Sequence, residues 1–302
     1  MMNNNNNNNN NTTPLFLIIV ALLSAAHLAP STNAIRLYFN DSATHQLDNN
    51  NSSYHAHNIF VSSGSTLELI GISITAPSSV DDGESAIRVD DAIFLGGSGT
   101  ITGGANFGGV GVTISTSRNS KFNGAYASFS DGMTVYGGDA ARNETTQGGD
   151  AVQVLQSGSK ATFTGGVIVA GKGCNREVCG ISNLNGNAIK VIMGEVNVEG
   201  GVFDGDFYNL QGFIKIVGCV KYNTDDDGRI KGVLSDGSAI DVAYVGEEEG
   251  PEIAYNASVC PTTPTIDDPT SGSVDTVRRS FSLVLLVVVS MTATGLAITV
   301  CL

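Results

Sequence analysis

The chain has 302 residues and a formal net charge of −14, with 29 acidic residues against 15 Lys and Arg residues. This acidity excludes nucleic acid as a natural partner, because a phosphate backbone attracts a basic surface. The same charge disfavours anionic polysaccharides such as pectate, unless divalent cations bridge the two.

Residues 1–34 are predicted to be a secretory signal peptide with an Asn-rich start. An unbroken apolar stretch covers residues 15–23, and small residues up to Ala34 fit a cleavage site. The stretch is too short to cross a bilayer comfortably. No Lys or Arg precedes it, so the alternative is a signal-anchor that stays in the chain.

Residues 35–57 are predicted to form an N-terminal cap, and residues 58–260 a β-rich domain with its own C-terminal cap. Glycine is frequent, with 37 residues in the chain, and no apolar stripe of helical period is present. Units such as Ala151–Gly166 and Ala188–Gly201 repeat a short apolar strand, a turn and a second strand ending in Gly-Gly. Self-similar units of this kind are typical of a coiled solenoid.

The repeats predict an all-β fold, a parallel β-helix with capped ends. Inward Val, Ile and Phe side chains would stack on their equivalents in the neighbouring turns. Over residues 58–245, the units resemble those of pectin-lyase-like right-handed β-helix proteins, including surface proteins and autotransporter-type passenger domains. The resemblance implies a right-handed helix but leaves the function open, because this fold hosts lyases, hydrolases and inert adhesins.

Two intervals between repeats are longer than the others and are predicted to leave the coil as loops. They are residues 137–150 and residues 171–187. Extra length of this kind often lies on the binding face of a solenoid.

The cysteines predict two disulfides in an oxidising compartment. Cys301 lies in the C-terminal tail, which leaves an even number in the domain. We expect Cys174 to pair with Cys179 across a tight loop, and Cys219 to pair with Cys260. The spacing of the first pair also occurs in metal sites, but no His or second Cys pair stands nearby.

Five sequons follow the signal peptide and are candidate glycan acceptors in a secreted chain. They begin at Asn40, Asn50, Asn51, Asn143 and Asn256. Because sequons also occur by chance in Asn-rich segments, Asn50 and Asn51 carry less weight.

The residues Asn223, Asp225 and Asp227 are the one candidate metal site, for Ca²⁺. They place oxygen ligands at alternate positions before Gly228, as in the first half of a calcium loop. The twelfth position is Leu234 rather than Glu, however. The alternative is an acidic turn that joins two strands, since Asp-Gly is a favoured turn pair.

No catalytic residues are predicted, and no cofactor apart from the candidate Ca²⁺. Residues 223–231 contain pieces similar to polygalacturonase motifs, but consecutive residues cannot surround a sugar, and Gly-His-Gly is absent. The strand positions Arg88, Gln153 and Lys190 are expected to be exposed, without a ladder of acids. The leading hypothesis is therefore a non-enzymatic protein for adhesion, wall structure or recognition of a glycan or protein. The alternative is a calcium-dependent polysaccharide lyase or another polysaccharide-active enzyme.

The C-terminal region is predicted to attach the protein to the extracellular face of the plasma membrane. Residues 261–280 are rich in Pro, Thr, Ser and Asp and resemble an extended spacer. Residues 281–302 form an uncharged apolar tail. Small residues at Ser271 and beyond, followed by the tail, match the signal for a glycolipid anchor. A transmembrane span is the alternative.

Treatment of intact cells with a phosphatidylinositol-specific phospholipase should release the protein into the medium, because the enzyme cuts the glycolipid and not a polypeptide. The measurement is the surface signal of an antibody against the domain. An undiminished signal would contradict the lipid anchor and favour the span.

Overall fold

The computed structural model describes residues 35–48, 54–55, 57–77, 85–105, 108–117, 124–140, 147–174, 184–225, 228–246, 250–260, 287–292 and 295–300. These ranges contain strands and turns but no helix, so none of them provides a helix that could span a bilayer. The predicted signal peptide and spacer lie outside the described residues.

The described residues of the main compact unit form 21 strands in one hydrogen-bonded sheet. In chain order the strands are β1 Ile35–Phe39, β2 Thr44–Asp48, β3 Tyr54–His55, β4 His57–Ser62, β5 Thr66–Ile70, β6 Ile72–Thr75, β7 Ile87–Asp90, β8 Ile93–Gly96, β9 Gly99–Thr102, β10 Val112–Ser115, β11 Tyr126–Phe129, β12 Met133–Tyr136, β13 Val152–Val154, β14 Lys160–Val169, β15 Asn187–Val191, β16 Glu195–Asp204, β17 Asp206–Asn209, β18 Phe213–Asn223, β19 Arg229–Leu234, β20 Ala239–Gly246 and β21 Glu252–Tyr255.

The strands form three parallel ladders, which we call A, B and C. The A ladder consists of β1, β4, β7, β10, β13, β15, β17 and the end of β20. The B ladder consists of β2, β5, β8, β11, β21 and the first parts of β14, β16 and β18. The C ladder consists of β3, β6, β9, β12 and the second parts of β14 and β16.

The chain passes through the A, B and C ladders in turn and then returns to A. We call each such set of successive A, B and C strands a rank. This pairing confirms the predicted all-β class with mainly parallel strands, and it is compatible with a solenoid. Residues 35–57, assigned to a cap by the sequence, contribute β1, β2 and β3, each paired in parallel with the following rank.

The first rank contains a side-chain hydrogen bond between Asp41 and His45, whose Oδ1 and Nε2 atoms lie 2.7 Å apart. The bond from His45 is the largest contribution that lowers the pKa of the Asp41 carboxyl, followed by the Ala43 N–H. Because the pKa of Asp41 is lower in the folded than in the unfolded state, its ionised carboxylate stabilises the fold at pH values above the ordinary Asp pKa. This contribution is lost as falling pH protonates Asp41.

The interior of the ladders is a continuous apolar core in which like residues stack. The rings of Phe129 and Phe163 are in register in the B ladder, 4.7 Å apart and within 8° of parallel. Phe94 contacts Phe129 from the preceding rank because the residue in register, Gly96, has no side chain. Burying each ring contributes about 2–3 kcal/mol.

A layer of glycines lies between the C ladder and the A ladder. Each member after the first donates its backbone N–H to the carbonyl oxygen of the member before it, at 2.7–2.9 Å. The members are Gly104, Gly109, Gly138, Gly149, Gly171 and Gly186. A Cβ atom on Gly149 would lie 2.1 Å from the Gly109 oxygen, so the backbones approach too closely for any side chain. The described ends of both predicted insertions lie in this layer.

An antiparallel meander follows the last ranks. Residues 218–223 of β18 pair with β19, and β19 pairs with residues 239–243 of β20. Ile230 and Leu234 of β19 are fully buried in the same core. A disulfide between Cys219 and Cys260, with Cα atoms 4.9 Å apart, joins β18 to the residue at the end of the unit, as the cysteine pattern predicts.

A second unit contains the apolar tail. Its described residues form two antiparallel strands, β22 Val287–Thr292 and β23 Gly295–Val300. The rest of the tail lies outside the described residues, and its role as an anchor stays a prediction.

Substitution of Gly149 by Ala should lower the free energy of unfolding by about 3 kcal/mol, because the methyl group must displace backbone atoms. Gly237→Ala is the matched control, since nothing lies within 4 Å of its Cβ position and only its φ of 90° disfavours alanine. That strain costs about 1 kcal/mol. Denaturant unfolding measures both variants, and equal losses would contradict the close packing of the glycine layer.

Candidate functional site

Of the A-ladder positions that the sequence predicts to be exposed, Arg88 is exposed, whereas Gln153 and Lys190 are half-buried. Arg88, Gln153 and Lys190 lie in one outward column, with Thr113 between the first two. Two of these side chains, Gln153 and Lys190, contact the buried carboxylate of Asp150.

Asp150 holds the ends of the two insertions together. Its carboxylate is 4% exposed and accepts hydrogen bonds from Gln153 Nε2 at 2.6 Å and from the backbone N and Nδ2 of Asn187 at 2.8 and 2.6 Å. Lys190 Nζ lies 3.4 Å from the same group. Because Asp150 and Asn187 are the last residues of the two insertions, this cluster fixes where each insertion rejoins the A ladder.

The B ladder carries a furrow of about 460 Å³ on its outer face. One wall is a column of side chains in register: Tyr126, Lys160, Glu195 and Phe213. The two aromatic residues at its ends are three strand spacings apart, or about 14 Å. The wall therefore has apolar rings at its ends and charged groups at its centre.

The floor of the furrow is the next outward column of the B ladder. Thr162, Asn197 and Lys215 are in register there, and Glu199, Val217 and Ala254 line the opposite side. The floor thus offers hydroxyl, amide and ammonium groups to a ligand.

The formal charges of the side chains that line the furrow sum to zero. Lys160 Nζ lies 2.6 Å from Glu195, and Lys215 Nζ lies 3.4 Å from Glu252 just beyond the lining. Glu199 accepts a hydrogen bond from Asn197 Nδ2. Since the lining contains two lysines and two glutamates, its formal charge is zero in a chain of net charge −14.

Only one of the two polar atoms of the Asn197 side chain has a hydrogen-bond partner among the described residues. Its Nδ2 is bound to Glu199, whereas its Oδ1 is buried and has no hydrogen-bond partner among the described residues. A buried acceptor without a donor costs about 1–3 kcal/mol. Because this oxygen is buried, it is a cost to the fold and is out of reach of a ligand in the furrow.

Two of the predicted calcium residues lie at the end of β18. Asp225 donates its backbone N–H to Asn223 Oδ1 at 3.0 Å, and Asn223 pairs with Arg229 of β19 in the antiparallel ladder. Asp227 lies outside the described residues. No group of three or more His, Cys, Asp or Glu residues that could hold a metal occurs in the described ranges. Calcium binding stays a prediction.

The structure describes some of the predicted modification sites and not others. Cys174 is a buried disulfide cysteine. Asn40 is exposed, whereas Asn256 donates its Nδ2 to Ser235 Oγ at 2.8 Å. The other predicted positions lie outside the described residues: Asn50, Asn51, Asn143, Cys179 and Ser271. The pairing of Cys174 with Cys179, the glycans and the lipid anchor stay predictions.

The sequence did not single out the furrow residues Thr162, Asn197 and Lys215. Each occupies an outward position in a strand of alternating apolar residues, so the alternation shows that each side chain points away from the core, where all three are half-buried. The alternation does not show which strands are neighbours, and only that pairing brings the three side chains into one column.

No family model, no curated protein and no solved structure was found to match this chain. Arguments about its function therefore depend on the geometry and chemistry of its own residues.

Proposed function

We propose that the protein is a non-enzymatic cell-surface recognition protein that binds a glycan in the furrow of the B ladder. The observation that carries this proposal is the chemistry of the furrow lining: the rings of Tyr126 and Phe213 stand at the ends of its wall, and hydroxyl, amide and ammonium groups lie in one column on its floor. A sugar hydroxyl can donate a hydrogen bond to a carboxylate of the lining and accept one from Lys160 or Lys215.

The ligand class follows from the lining. Pockets of 300–1,000 Å³ that combine apolar surface with a few polar groups are typical of ligand sites, and the furrow of about 460 Å³ falls in that range. Tyr126 and Phe213 supply apolar rings on which the C–H faces of sugars can rest. The lining has no net charge and the chain is acidic, so an uncharged glycan is favoured over an anionic one.

The fold assignment that accompanies this function is a right-handed parallel β-helix of the pectin-lyase-like type. Two observations support it: the repeated units of the sequence, and the return of the chain to the same ladder after visits to the other two. A solenoid of this kind presents long lateral faces, and these suit extended ligands.

The proposed location is the extracellular face of the plasma membrane, where a glycan or protein ligand would be met. The apolar segments at both ends of the sequence support it, and the disulfide between Cys219 and Cys260 fits an oxidising compartment. Attachment would be through the glycolipid anchor or the alternative span.

Substitution of Asn197 by Leu should weaken glycan binding at least tenfold, because it removes the amide from the furrow floor and the hydrogen bond that positions the Glu199 carboxylate, while keeping a side chain of similar size. The probes are a panel of uncharged hexasaccharides of glucose, mannose, galactose and xylose, and the measurement is the dissociation constant of each. The midpoint of thermal unfolding should stay the same or rise, since the buried unpaired oxygen is lost.

Gln46→Leu is the matched control for this experiment. Gln46 lies in the same outward column, four ranks before Thr162, and donates its Nε2 to Glu68 at 3.3 Å, as Asn197 does to Glu199. It lies outside the furrow, so its replacement should leave the affinity unchanged. No binding to any hexasaccharide, or equal losses in the two variants, would contradict the proposal.

A polysaccharide-active enzyme is the second candidate, because lysines and glutamates meet in the furrow. Lys160 and Glu195 are 2.6 Å apart, and the second lysine, Lys215, lies on the adjacent floor. The fold resemblance makes a calcium-dependent lyase the form to test.

The purified protein should release no unsaturated uronides from a panel of pectins and alginates, with or without millimolar calcium, because the furrow is proposed to bind without turnover. Absorbance of the unsaturated product measures the reaction. Turnover that is lost in Lys160→Ala would overturn the non-enzymatic proposal and establish the enzyme in its place.

A further inference from the structure

The two aromatic side chains of the furrow lie on one straight line along the stack. Tyr126, Lys160, Glu195 and Phe213 follow each other in register on successive ranks, and all of them line the furrow. Because neighbouring strands of a sheet are about 4.8 Å apart, the two rings are about 14 Å from each other. A ligand that contacts both rings must therefore extend along the stack axis.

The side chains between the two rings are polar. Lys160 and Glu195 form an ion pair with 2.6 Å between Nζ and Oε2, and their side chains are 53% and 58% exposed. Thr162 and Asn197 lie beside them on the floor, at the same two ranks. An apolar ligand over this stretch would remove water from these groups without replacing its hydrogen bonds, which is unfavourable. The ligand must therefore carry hydrogen-bonding groups between its two ends.

A chain of pyranose rings with equatorial substituents combines these properties. The faces of its rings are apolar C–H surfaces that pack on aromatic side chains, and its hydroxyl groups project from its edges, where they donate and accept hydrogen bonds. When the glycosidic bonds are equatorial too, the chain is straight. Its repeat is then close to the spacing of neighbouring strands, about 4.8 Å, so one sugar unit lies over each rank.

We infer that the furrow binds a straight, uncharged glycan of the cellulose or xylan type, with its chain parallel to the stack axis; this inference rests on the proposed glycan-binding function. One sugar unit lies over each residue of the wall, and the end units of a tetrasaccharide rest on Tyr126 and Phe213. A chain of the starch type has axial bonds that curve it into a helix, so it contacts only one of the two rings. A disaccharide also contacts only one ring, because it is too short to reach the other.

A length series of cello-oligosaccharides tests this inference on the full chain. The dissociation constant, measured by isothermal titration calorimetry, should fall at least tenfold from cellobiose to cellotetraose, because only the longer chain reaches both rings. It should fall much less from cellotetraose to cellohexaose, since the added units lie beyond the two rings. Maltotetraose, the curved chain of the same length and composition, should bind at least tenfold more weakly than cellotetraose.

Variants of the two rings test whether both are used at once. Tyr126→Ala and Phe213→Ala should each weaken the binding of cellotetraose at least fivefold and change that of cellobiose less than twofold, because a disaccharide can rest on the ring that remains. Ile93→Ala is the matched control. Ile93 precedes Tyr126 by one rank in the same column, is 39% exposed against 44% for Phe213, and lies outside the furrow lining. Its replacement should leave both dissociation constants unchanged.

Failure of the inference and failure of the proposed function give different results. If no oligosaccharide binds, the glycan-binding function is wrong, and the inference falls with it. Glycan binding would stand, and the straight-chain inference would be overturned, in three cases. These are equal affinities for cellobiose and cellotetraose, equal affinities for cellotetraose and maltotetraose, and equal losses of cellotetraose affinity in Ile93→Ala and Phe213→Ala.

Discussion

Backbone hydrogen bonds between successive ranks determine almost everything else in this structure. Parallel pairing sets each strand in register with its equivalent, so a side chain that points inward in one rank points inward in the next. The stack of Phe129 on Phe163 in the core and the column of Lys160 and Glu195 outside come from the same register. A slip of one residue in a strand would exchange the two faces, placing charged groups in the core and apolar ones in the furrow.

The glycine layer allows this register to persist while the lengths of the ranks vary. Residues 137–150 and 171–187 add chain between one rank and the next, yet they enter and leave through backbones that contact each other directly. Asp150 then joins the last residues of both segments through Gln153 and Asn187. The two segments are therefore attached to the ladders at fixed points. The strands of the B ladder remain paired from rank to rank despite the added length.

Much of the fold could be predicted because its signals are local. The alternation in Ala151–Gly166 reveals which side chains point inward, and the number of cysteines suggests the pair Cys219 and Cys260. The cap over residues 35–57 was predicted from the need to cover the unpaired backbone at the end of a solenoid, and that argument does not reveal that these residues contribute a rank of parallel strands. The furrow could not be predicted, because Thr162, Asn197 and Lys215 come from three ranks separated by unequal lengths of chain. Only the pairing of β14, β16 and β18 brings them into one column.

Under the proposed attachment by the C-terminal end, the disulfide at the end of the stack would have a mechanical consequence. Tension would enter the domain at Cys260 and pass through the sulfur atoms to Cys219. The load would thus reach the long strand β18 directly, and β21, which lies between the two cysteines in the chain and pairs beside β18, would be shielded from being peeled away. The hydrogen bonds of β18 with its neighbours would share the force, so the covalent link would protect the last rank against unravelling.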